Sequence, residues 1–396
     1  MKKLLLACSA TALIAGASSA EEIKIGIILG YTGPLESIMP TVADAAEMAI
    51  NEVNASGALL NGSTVIGIRG DDGCVDSGLA VATAERLVTG DGVKAIVGGD
   101  CSGVTGAILQ NVAMPNGIVM ISPSATSPGL SHNNNEDQGL FFRTSPSDAR
   151  QGVVVSEILN ERGIKSIALT YVNADYGLGL ANSIQENFEA SGGTVTISAA
   201  HEDGKADYSA EVAALAAAGG EVLVVAGYAD GGGKGIIQAS LDAGAFDTFY
   251  LPDGMVGTSL LEAIGEDLNG SFGANPESEG PNVDAYRGMA SAAGFDGVTA
   301  FSAEGYDAAA LIMLAMQAAG SSNSSDFASH VMDVANAPGE KILPGELGKA
   351  LALLKNGVDI DYVGASGVEL VGPGESGGVY RQFDVNGGQF VTVQYR

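Results

Sequence analysis

The chain has 396 residues, of which 18 are Lys or Arg and 47 are Asp or Glu, so its formal net charge is −29. Hydrophobic residues make up 46% of the chain and charged residues only 16%. This composition excludes an intrinsically disordered protein and favours two domains, at about 100–200 residues per domain. A net charge this negative repels nucleic acid and anionic membrane surfaces, so neither is an expected partner.

Residues 1–20 have the order of a secretory signal peptide. Two lysines follow the first methionine, an apolar stretch extends from Leu4 to Gly16, and small residues end at Ala20. A lipoprotein anchor at Cys8 is the alternative, but Cys8 follows the lysines too closely to leave room for an apolar stretch between them. The longest later apolar run, Ala308–Met316, is too short for a bilayer, which takes about 20 residues. We therefore expect a soluble protein exported to the periplasm and cleaved after Ala20.

Removal of this segment leaves two cysteines, Cys74 and Cys101. In an oxidising compartment an isolated pair most simply forms one disulfide. Closing a loop of this length contributes on the order of 3–4 kcal/mol to stability. Two free buried thiols are the alternative. A thiol-redox activity is not expected, because it would need a Cys-x-x-Cys pair.

Short apolar runs alternate with segments of helical period through most of the chain. The predicted strands are Ile23–Leu29, Val65–Ile68, Val93–Val97, Ile118–Ile121, Ile167–Val172, Thr194–Ser198, Glu221–Ala226 and Phe249–Leu251. The predicted helices are Thr41–Val53, Gly78–Val88, Thr105–Ala113, Asp148–Arg162, Gly179–Ala190, Tyr208–Ala218, Gly235–Ala243, Asn282–Ala293, Ser302–Ala319, Asp326–Val334 and Gly345–Leu354. Buried strands alternating with helices indicate doubly wound parallel sheets, and two such series, before and after Arg143, predict two α/β lobes.

The end of the chain has a different pattern. Two alternating segments, Val379–Val385 and Gln389–Tyr395, flank Asn386-Gly387-Gly388, which predicts a β-hairpin. Two segments rich in Gly, Pro, Ser and Glu, Asn269–Pro281 and Gly372–Gly378, are predicted to be crossovers or surface loops.

No arrangement of catalytic or metal-binding residues stands out in the sequence. The histidines do not share a metal-ligand spacing and are expected on the solvated surface: His132, His201 and His330. Three nearby carboxylates lack the spacing of a calcium loop: Asp71, Asp72 and Asp76. The Gly-rich stretch Gly227–Gly235 lacks the Ser or Thr after Lys234 that a phosphate loop requires. The sequence therefore predicts no enzymatic activity, no metal site and no cofactor.

Small hydroxyl residues follow two predicted strands. Ser102 lies in the segment Val97–Thr105, which opens a helix, and Thr126 lies in the loop Ser122–Pro128. In open α/β sheets, ligands bind beyond the carboxyl ends of the strands, where helix N-termini offer N–H groups to anions. Ser102 and Thr126 are therefore candidates for holding a small carboxylate. Helix capping and turn formation are the alternative roles for both residues.

Several short motifs occur in one order along the chain: IGIILGYTGP at 25–34, DDGC at 71–74, GDCS at 99–102, ISPSATSPGL at 121–130, DYGLGLA at 175–181, GY at 227–228 and PDG at 252–254. Together they resemble the periplasmic binding proteins for branched-chain amino acids, the type I Venus-flytrap family that feeds ABC importers. The resemblance implies two α/β lobes, each with a doubly wound parallel sheet, joined by a three-crossover hinge. We place the crossovers near Arg143, Gly273 and Gly372. Residues 21–143 with 274–371 would then form the N-terminal lobe, and residues 144–273 with 372–396 the C-terminal lobe.

The resemblance also implies ligand contacts on the first lobe. Ser102 would bind the ligand's carboxylate through its hydroxyl, and the backbone carbonyl of Ser124 would receive its ammonium. Thr126 would contact both groups, and Ala125 lies between these two residues in the same loop. Ile38 departs from the family pattern, which often has an aromatic pocket wall near this position.

On the second lobe, Tyr176 and Tyr228 match aromatic positions that close over the ligand. Asp253 stands where the family usually has Glu, as the counter-charge to the ammonium. Asp100 stands where the leucine-binding branch has an apolar residue. It would either cap the helix after Ser102 or enter the pocket and select a polar or cationic side chain. We favour the cap, because a pocket carboxylate would repel the ligand's own carboxylate, while a negative charge at a helix N-terminus is favourable.

These expectations describe a monomeric solute-binding protein that passes a small neutral amino acid, rather than arginine or lysine, to ABC importer permeases. A soluble sensor for a membrane receptor is the alternative and would share every site residue. A small amide, an aromatic acid or a cationic amino acid are alternative ligands. An exported amidase or other hydrolase has no supporting nucleophile–base pair.

Overall fold

The computed structural model describes residues 20–131 and 136–396, so the predicted signal peptide up to residue 19, and His132, lie outside the described residues. The strands are β1 (Glu22–Leu29), β2 (Thr64–Asp71), β3 (Ala95–Gly98), β4 (Val119–Ser122), β5 (Phe141–Pro146), β6 (Ser166–Val172), β7 (Thr194–His201), β8 (Val222–Ala226), β9 (Phe249–Leu251), β10 (Phe272–Pro276), β11 (Glu340–Ile342), β12 (Ile360–Tyr362), β13 (Leu370–Val371), β14 (Glu375–Ser376), β15 (Tyr380–Asn386) and β16 (Gln389–Tyr395).

The helices are α1 (Met39–Ser56), α2 (Ser77–Glu85), α3 (Ser102–Ile108), α4 (Met114–Asn116), α5 (Asp148–Glu161), α6 (Asp175–Ala190), α7 (Ser209–Ala218), α8 (Gly232–Ala243), α9 (Thr258–Ile264), α10 (Pro281–Ala293), α11 (Ser302–Ala319), α12 (Ser324–Phe327), α13 (His330–Ala335) and α14 (Leu347–Lys355). A π-helical turn joins α3 to α4, so the helix that starts at Ser102 continues to Asn116.

The strands form two 7-stranded sheets, one in each lobe. The first sheet has the order β13-β14-β5-β4-β3-β1-β2, and the second has the order β16-β15-β10-β9-β8-β6-β7. Neighbouring strands in both sheets are parallel, except for the antiparallel pairs β13–β14, β10–β15 and β15–β16. The predicted pair of doubly wound lobes is confirmed, and so is the predicted C-terminal hairpin. A small sheet of β11 and β12 lies outside both.

The chain crosses between the sheets three times, from strands that lie second or third from one edge of each sheet. It leaves the first sheet after Pro146, returns to the first lobe after Pro276, and leaves it again between Ser376 and Tyr380. Arg143 lies within β5 and Gly273 lies within β10, so both strands continue for three residues beyond these positions. The segments that looked like loops, 269–281 and 372–378, therefore contain β10 and β14.

Helices and strands form where apolar residues have the right period. In α1 the buried residues recur every three or four positions: Val42, Ala45, Ala46, Ala49, Ile50 and Val53. Gly57, at φ 59°, ends this helix in the left-handed conformation that glycine accepts most readily. The apolar run at 308–316 is fully buried in the middle of α11, and this helix packs against α1, α13 and α14. No helix within residues 20–131 and 136–396 is long and apolar enough to cross a membrane.

Candidate functional site

The predicted disulfide is present and anchors the start of α3. Cys74 and Cys101 are bonded, with their Cα atoms 5.0 Å apart, and both are buried. The bond joins the loop after β2 to the loop after β3. Ser102 begins α3 directly after it, and the Ser102 hydroxyl accepts a hydrogen bond from the Ser127 N–H at 3.0 Å. The loops after β3 and β4 are thus tied together at the carboxyl ends of their strands.

Two further serines tighten the loop that follows β4. The Ser122 hydroxyl donates to the carbonyl of Gly99 at 2.6 Å and accepts from the Ala125 N–H at 3.0 Å. The Ser124 hydroxyl donates to the carbonyl of Asp100 at 3.1 Å. These bonds hold the 124–126 segment in one conformation beside the first turn of α3, whose N–H groups have no partner within the helix.

A buried arginine holds the same loop through hydrogen bonds to its backbone carbonyls. Arg143, which is 1% exposed, donates through Nη1 to the carbonyls of Ala125 and Ser127 at 3.1 and 2.9 Å. Its Nη2 forms an ion pair with Glu375 of β14. The sequence indicated Arg143 only as a lobe boundary. The signal that was overlooked is a cation directly after two phenylalanines, since a charge buried beside apolar residues requires partners.

The second lobe supplies the residues that face this loop. Tyr176 lies in the first turn of α6, Tyr228 follows β8, and Asp253 follows β9. The Tyr176 hydroxyl donates to Asp253 Oδ1 at 2.6 Å and accepts from the Gly254 N–H at 3.2 Å. The two tyrosine rings are stacked, with centroids 5.1 Å apart and an interplanar angle of 21°. All three predicted residues are buried and lie together in the second lobe.

One important carboxylate was not predicted as part of the site. The Thr126 hydroxyl donates to Asp148 Oδ2 at 2.9 Å, and the Asp148 N–H donates to the carbonyl of Thr126 at 2.8 Å. Asp148 is the first residue of α5, directly after the first crossing, and its sequence position suggested only a helix start. Because its other oxygen, Oδ1, is buried without a hydrogen-bond partner in the described part of the chain, Asp148 has capacity left for a ligand.

Within the described residues neither Asp148 nor Asp253 forms a salt bridge, and Arg143 is the only cation whose charge acts to lower the pKa of Asp148. Burial, and next the charge of Asp253, raise the pKa of Asp148 well above its usual value. Burial likewise raises the pKa of Asp253, opposed first by the hydrogen bond from Tyr176. Nearby, the amide of Gln151 and the hydroxyl of Tyr380 are buried and make no hydrogen bond to any described residue. A ligand cation placed here would lower both carboxyl pKa values, and its N–H groups would donate to the unpartnered oxygens of Asp148, Gln151 and Tyr380.

The carboxylate of Asp100 is buried and bonds to backbone N–H groups. Cys101, not Asp100, is the N-cap residue of α3, and no side chain caps this helix. The Asp100 carboxylate instead accepts from the Gly30 N–H at 3.1 Å and from the Cys101 N–H at 2.6 Å. Burial and then the charge of Asp100 raise the pKa of the neighbouring Asp72 well above its usual value. Asp100 therefore links the loop after β1 to the start of α3.

Two other expectations about polar residues change. His201 is buried, with Nδ1 at 2.9 Å from the Thr170 hydroxyl, and burial lowers its pKa to about 4. The expectation of a surface residue was wrong for His201, whereas His330 is partly exposed beside Asp333. Neither Ser102 nor Thr126 is a helix N-cap, because Cys101 occupies this position in α3 and Ser147 occupies it in α5.

The two lobes are closed over the site. Ser102, Thr126, Tyr176, Tyr228 and Asp253 are each at most 4% exposed. At the edge of the cleft, Pro128 of the first lobe lies so close to Gly179 of the second that an added Cβ would come within 2.8 Å of the proline ring. Ile38 also contacts the second lobe, with Cδ1 at 3.4 Å from where a Cβ of Gly257 would lie.

Comparison with protein families gives a match over residues 22–339 to the family described as periplasmic binding protein. The Leu/Ile/Val-binding protein of Citrobacter freundii is 30% identical over 278 residues, which cover 70% of this chain and 73% of that protein. The leucine-, isoleucine-, valine-, threonine-, and alanine-binding protein of Pseudomonas aeruginosa is 32% identical over 270 residues, covering 68% and 70%.

Solved structures share the fold at lower sequence identity. A leucine-binding protein from Thermotoga maritima superimposes with a TM-score of 0.79 at 21% identity, covering 94% of this chain and 98% of its own. A solute-binding protein of an ABC transporter from R. palustris, in complex with 4-hydroxybenzoate, gives a TM-score of 0.78 at 17% identity, covering 95% and 97%. The same two-lobed frame thus accommodates ligands of different chemistry.

Proposed function

Because the chain belongs to the periplasmic binding protein family, we propose that it captures a small or aliphatic neutral amino acid between its lobes and delivers it to an ABC importer. Its relatives and neighbours are named as binding proteins or as solute-binding proteins of ABC transporters, so its function is binding rather than catalysis. The carrying observation is the position of Asp148 and Asp253, two buried carboxylates, opposite hydrogen-bond donors of the first lobe.

The first lobe provides for the ligand's carboxylate. The first turn of α3, starting at Ser102, presents backbone N–H groups without intrahelical partners. These groups and the helix dipole favour an anion at this end. The N–H of Thr126 adds a further donor from the adjacent loop, because it has no hydrogen-bond partner among the described residues.

The second lobe provides for the ammonium group. Asp148 and Asp253 are at most 1% exposed, and an unpaired buried charge is expensive. An α-ammonium group neutralises this excess, whereas an aromatic acid brings a further negative charge with no cation to match it. The role of Asp100 supports a neutral side chain, because its carboxylate is already engaged by Gly30 and Cys101.

The ligand class is tested by titration calorimetry of the purified protein with leucine, valine, alanine, lysine, arginine and 4-hydroxybenzoate. We expect a neutral amino acid to bind most tightly. Asp253→Asn keeps the size of the side chain but removes its charge, which should cost about 2–5 kcal/mol of binding. Asp247→Asn, at an exposed position of the same lobe, is the control and should bind normally. Tightest binding of 4-hydroxybenzoate, or a loss below threefold for Asp253→Asn, would overturn the assignment.

The cellular setting is part of the same proposal. We infer a monomer that works in the periplasm with permease subunits of an importer, after cleavage between Ala20 and Glu21. N-terminal sequencing of the secreted protein should begin at Glu21, and sedimentation should give one chain per particle. Genes for permeases and ATPases beside the coding sequence would support an importer over a sensor.

A further inference from the structure

A second set of contacts joins the lobes at the edge of the cleft. The carbonyl of Pro34, in the loop after β1, accepts from the Asp230 N–H at 3.1 Å. The N–H and hydroxyl of Ser37 donate to Asp230 Oδ2 at 3.1 and 2.6 Å. The Ser37 hydroxyl also lies 3.3 Å from that of Ser259, at the start of α9. Pro34 and Ser37 belong to the first lobe, and Asp230 and Ser259 to the second. We call these bonds the rim contact.

The rim contact lies far from the hinge. The crossings occur at β5 and β14 in the first sheet, and β1 lies three strands further along this sheet. At about 4.8 Å per strand, the rim loop is therefore about 14 Å from the hinge strands. A lobe rotation of about 15°, as between the dimers of haemoglobin, displaces it by about 4 Å. Such a displacement breaks every hydrogen bond of the rim contact, so these bonds exist only in the closed state.

The chemistry of the rim suits a reversible contact. Ser37 is exposed and Asp230 is half-buried, so both are solvated when the lobes separate. Asp230 has no salt bridge within the described residues, and Ser37 supplies two donors to one of its oxygens. The backbones also fit closely here, since a Cβ at Gly231 would lie 2.9 Å from the Pro34 Cβ. The closed lobes therefore gain a charge-assisted bond pair that the open lobes lack.

We propose that Ser37 and Asp230 form a latch that prolongs the closed state, and that they are positioning residues acting through lobe closure. The proposal rests on the proposed function in taking an amino acid as the trapped ligand. Loss of the latch accelerates ligand release, because opening no longer breaks these bonds. The rate constant for ligand entry into the open state stays unchanged, since the bonds are absent in that state.

Stopped-flow measurement with leucine as the probe tests the latch. Ser37→Ala and Asp230→Asn should each accelerate release about tenfold, and the double variant should release no faster than the faster single variant, because the two side chains form one unit. Ser321→Ala is the matched control. The Ser321 hydroxyl donates to Asp326 at 2.6 Å, the same distance as at the rim, but both residues belong to the first lobe. Its release rate should equal that of the wild type.

Small-angle scattering of the ligand-free protein separates failure of the latch from failure of the ligand assignment. The latch variants should increase the radius of gyration as the closed population falls, and Ser321→Ala should not. If leucine does not bind the wild-type protein, the ligand assignment is wrong, and only the scattering measurement then tests the latch. The proposal is overturned if both latch variants have the same radius of gyration as the wild type. It is also overturned if leucine binds and both variants release it at the wild-type rate.

Discussion

A single methyl group at position 179 is expected to hold the lobes apart. Gly179 lies in α6 of the second lobe, and its Cβ would be 2.8 Å from Pro128 Cδ and 2.9 Å from Ser127 Oγ. Both neighbours belong to the first lobe. Carbon atoms pack at about 3.5–4.0 Å, so the lobes must separate by about 0.7 Å or more. The loop that contains Pro128 cannot move far, because the proline ring is rigid and the Ser127 hydroxyl accepts a hydrogen bond from the Gly129 N–H.

Gly179→Ala should therefore weaken ligand binding without weakening the ligand-free fold. Overpacking costs about 1–3 kcal/mol, which corresponds to about 5- to 150-fold weaker binding, because the clash arises only on closure. Alanine is about 1 kcal/mol more favourable than glycine inside a helix. The thermal midpoint of the ligand-free variant should therefore equal or exceed that of the wild type.

Calorimetry with the tightest-binding amino acid and thermal unfolding without ligand measure the two effects. Gly288→Ala is the control, since Gly288 lies inside α10 and an added Cβ has no neighbour within 4 Å. Gly288→Ala should stabilise its helix by the same amount and leave the affinity for the amino acid unchanged. A dissociation constant for Gly179→Ala within twofold of the wild type, or a lower ligand-free midpoint, would refute the reasoning.

Three further predictions concern stability and release. Reduction of Cys74–Cys101 should lower the free energy of unfolding by about 3–4 kcal/mol, and thiol titration of the denatured, unreduced protein should find neither cysteine free. Tyr176→Phe removes the hydroxyl that donates to Asp253, so ligand release should accelerate by an amount equivalent to about 1–3 kcal/mol; an unchanged release rate contradicts this. Burial raises the pKa of Glu304 from 4.5 to about 8, so the folded state retains a proton that the unfolded state loses across this range, and stability falls as the pH rises through it. Glu304→Gln should therefore gain stability over the wild type between pH 5 and pH 9 in denaturant titrations, and a constant difference would contradict the assigned burial effect.

The regular part of the fold was predictable because its signals are local. The apolar period over Ser302–Ala319 predicts α11 with the bounds that the structure shows, and the run Phe249–Leu251 predicts β9 equally well. The disulfide followed from counting cysteines in an exported chain. The assignment to the periplasmic binding protein family, made from ordered motifs, is confirmed by the family match.

The strands at the hinge were missed because partners, not composition, make them strands. The segment FGANP of β10 contains glycine, asparagine and proline, which favour turns. It is a strand because β9 and β15 pair with it on either side. Its backbone approaches β9 so closely that a Cβ at Gly273 would lie 1.9 Å from the carbonyl oxygen of Leu251. Such an approach cannot be read from a sequence window.

In the site, too, individual residues could be predicted from the sequence, whereas contacts between distant residues could not. Resemblance assigned roles to four site residues: Ser102, Thr126, Tyr176 and Tyr228. In the structure they lie beyond the carboxyl ends of strands in the two lobes. Their contacts with a ligand stay a prediction. The hydrogen bond from the Gly30 N–H to Asp100 could not be predicted, because the two residues are 70 positions apart in the sequence.

The late position of the closing strands has a consequence for how the protein is made. Strands β13 and β14, which complete the first sheet, and β15 and β16, which complete the second, all come from residues 370–395. A chain that emerges from its N-terminus therefore exposes the edges of β5 and β10 until synthesis is nearly finished. Such non-local pairing slows folding and prolongs the unfolded state. Loss of the C-terminal strands would leave both lobes incomplete at once.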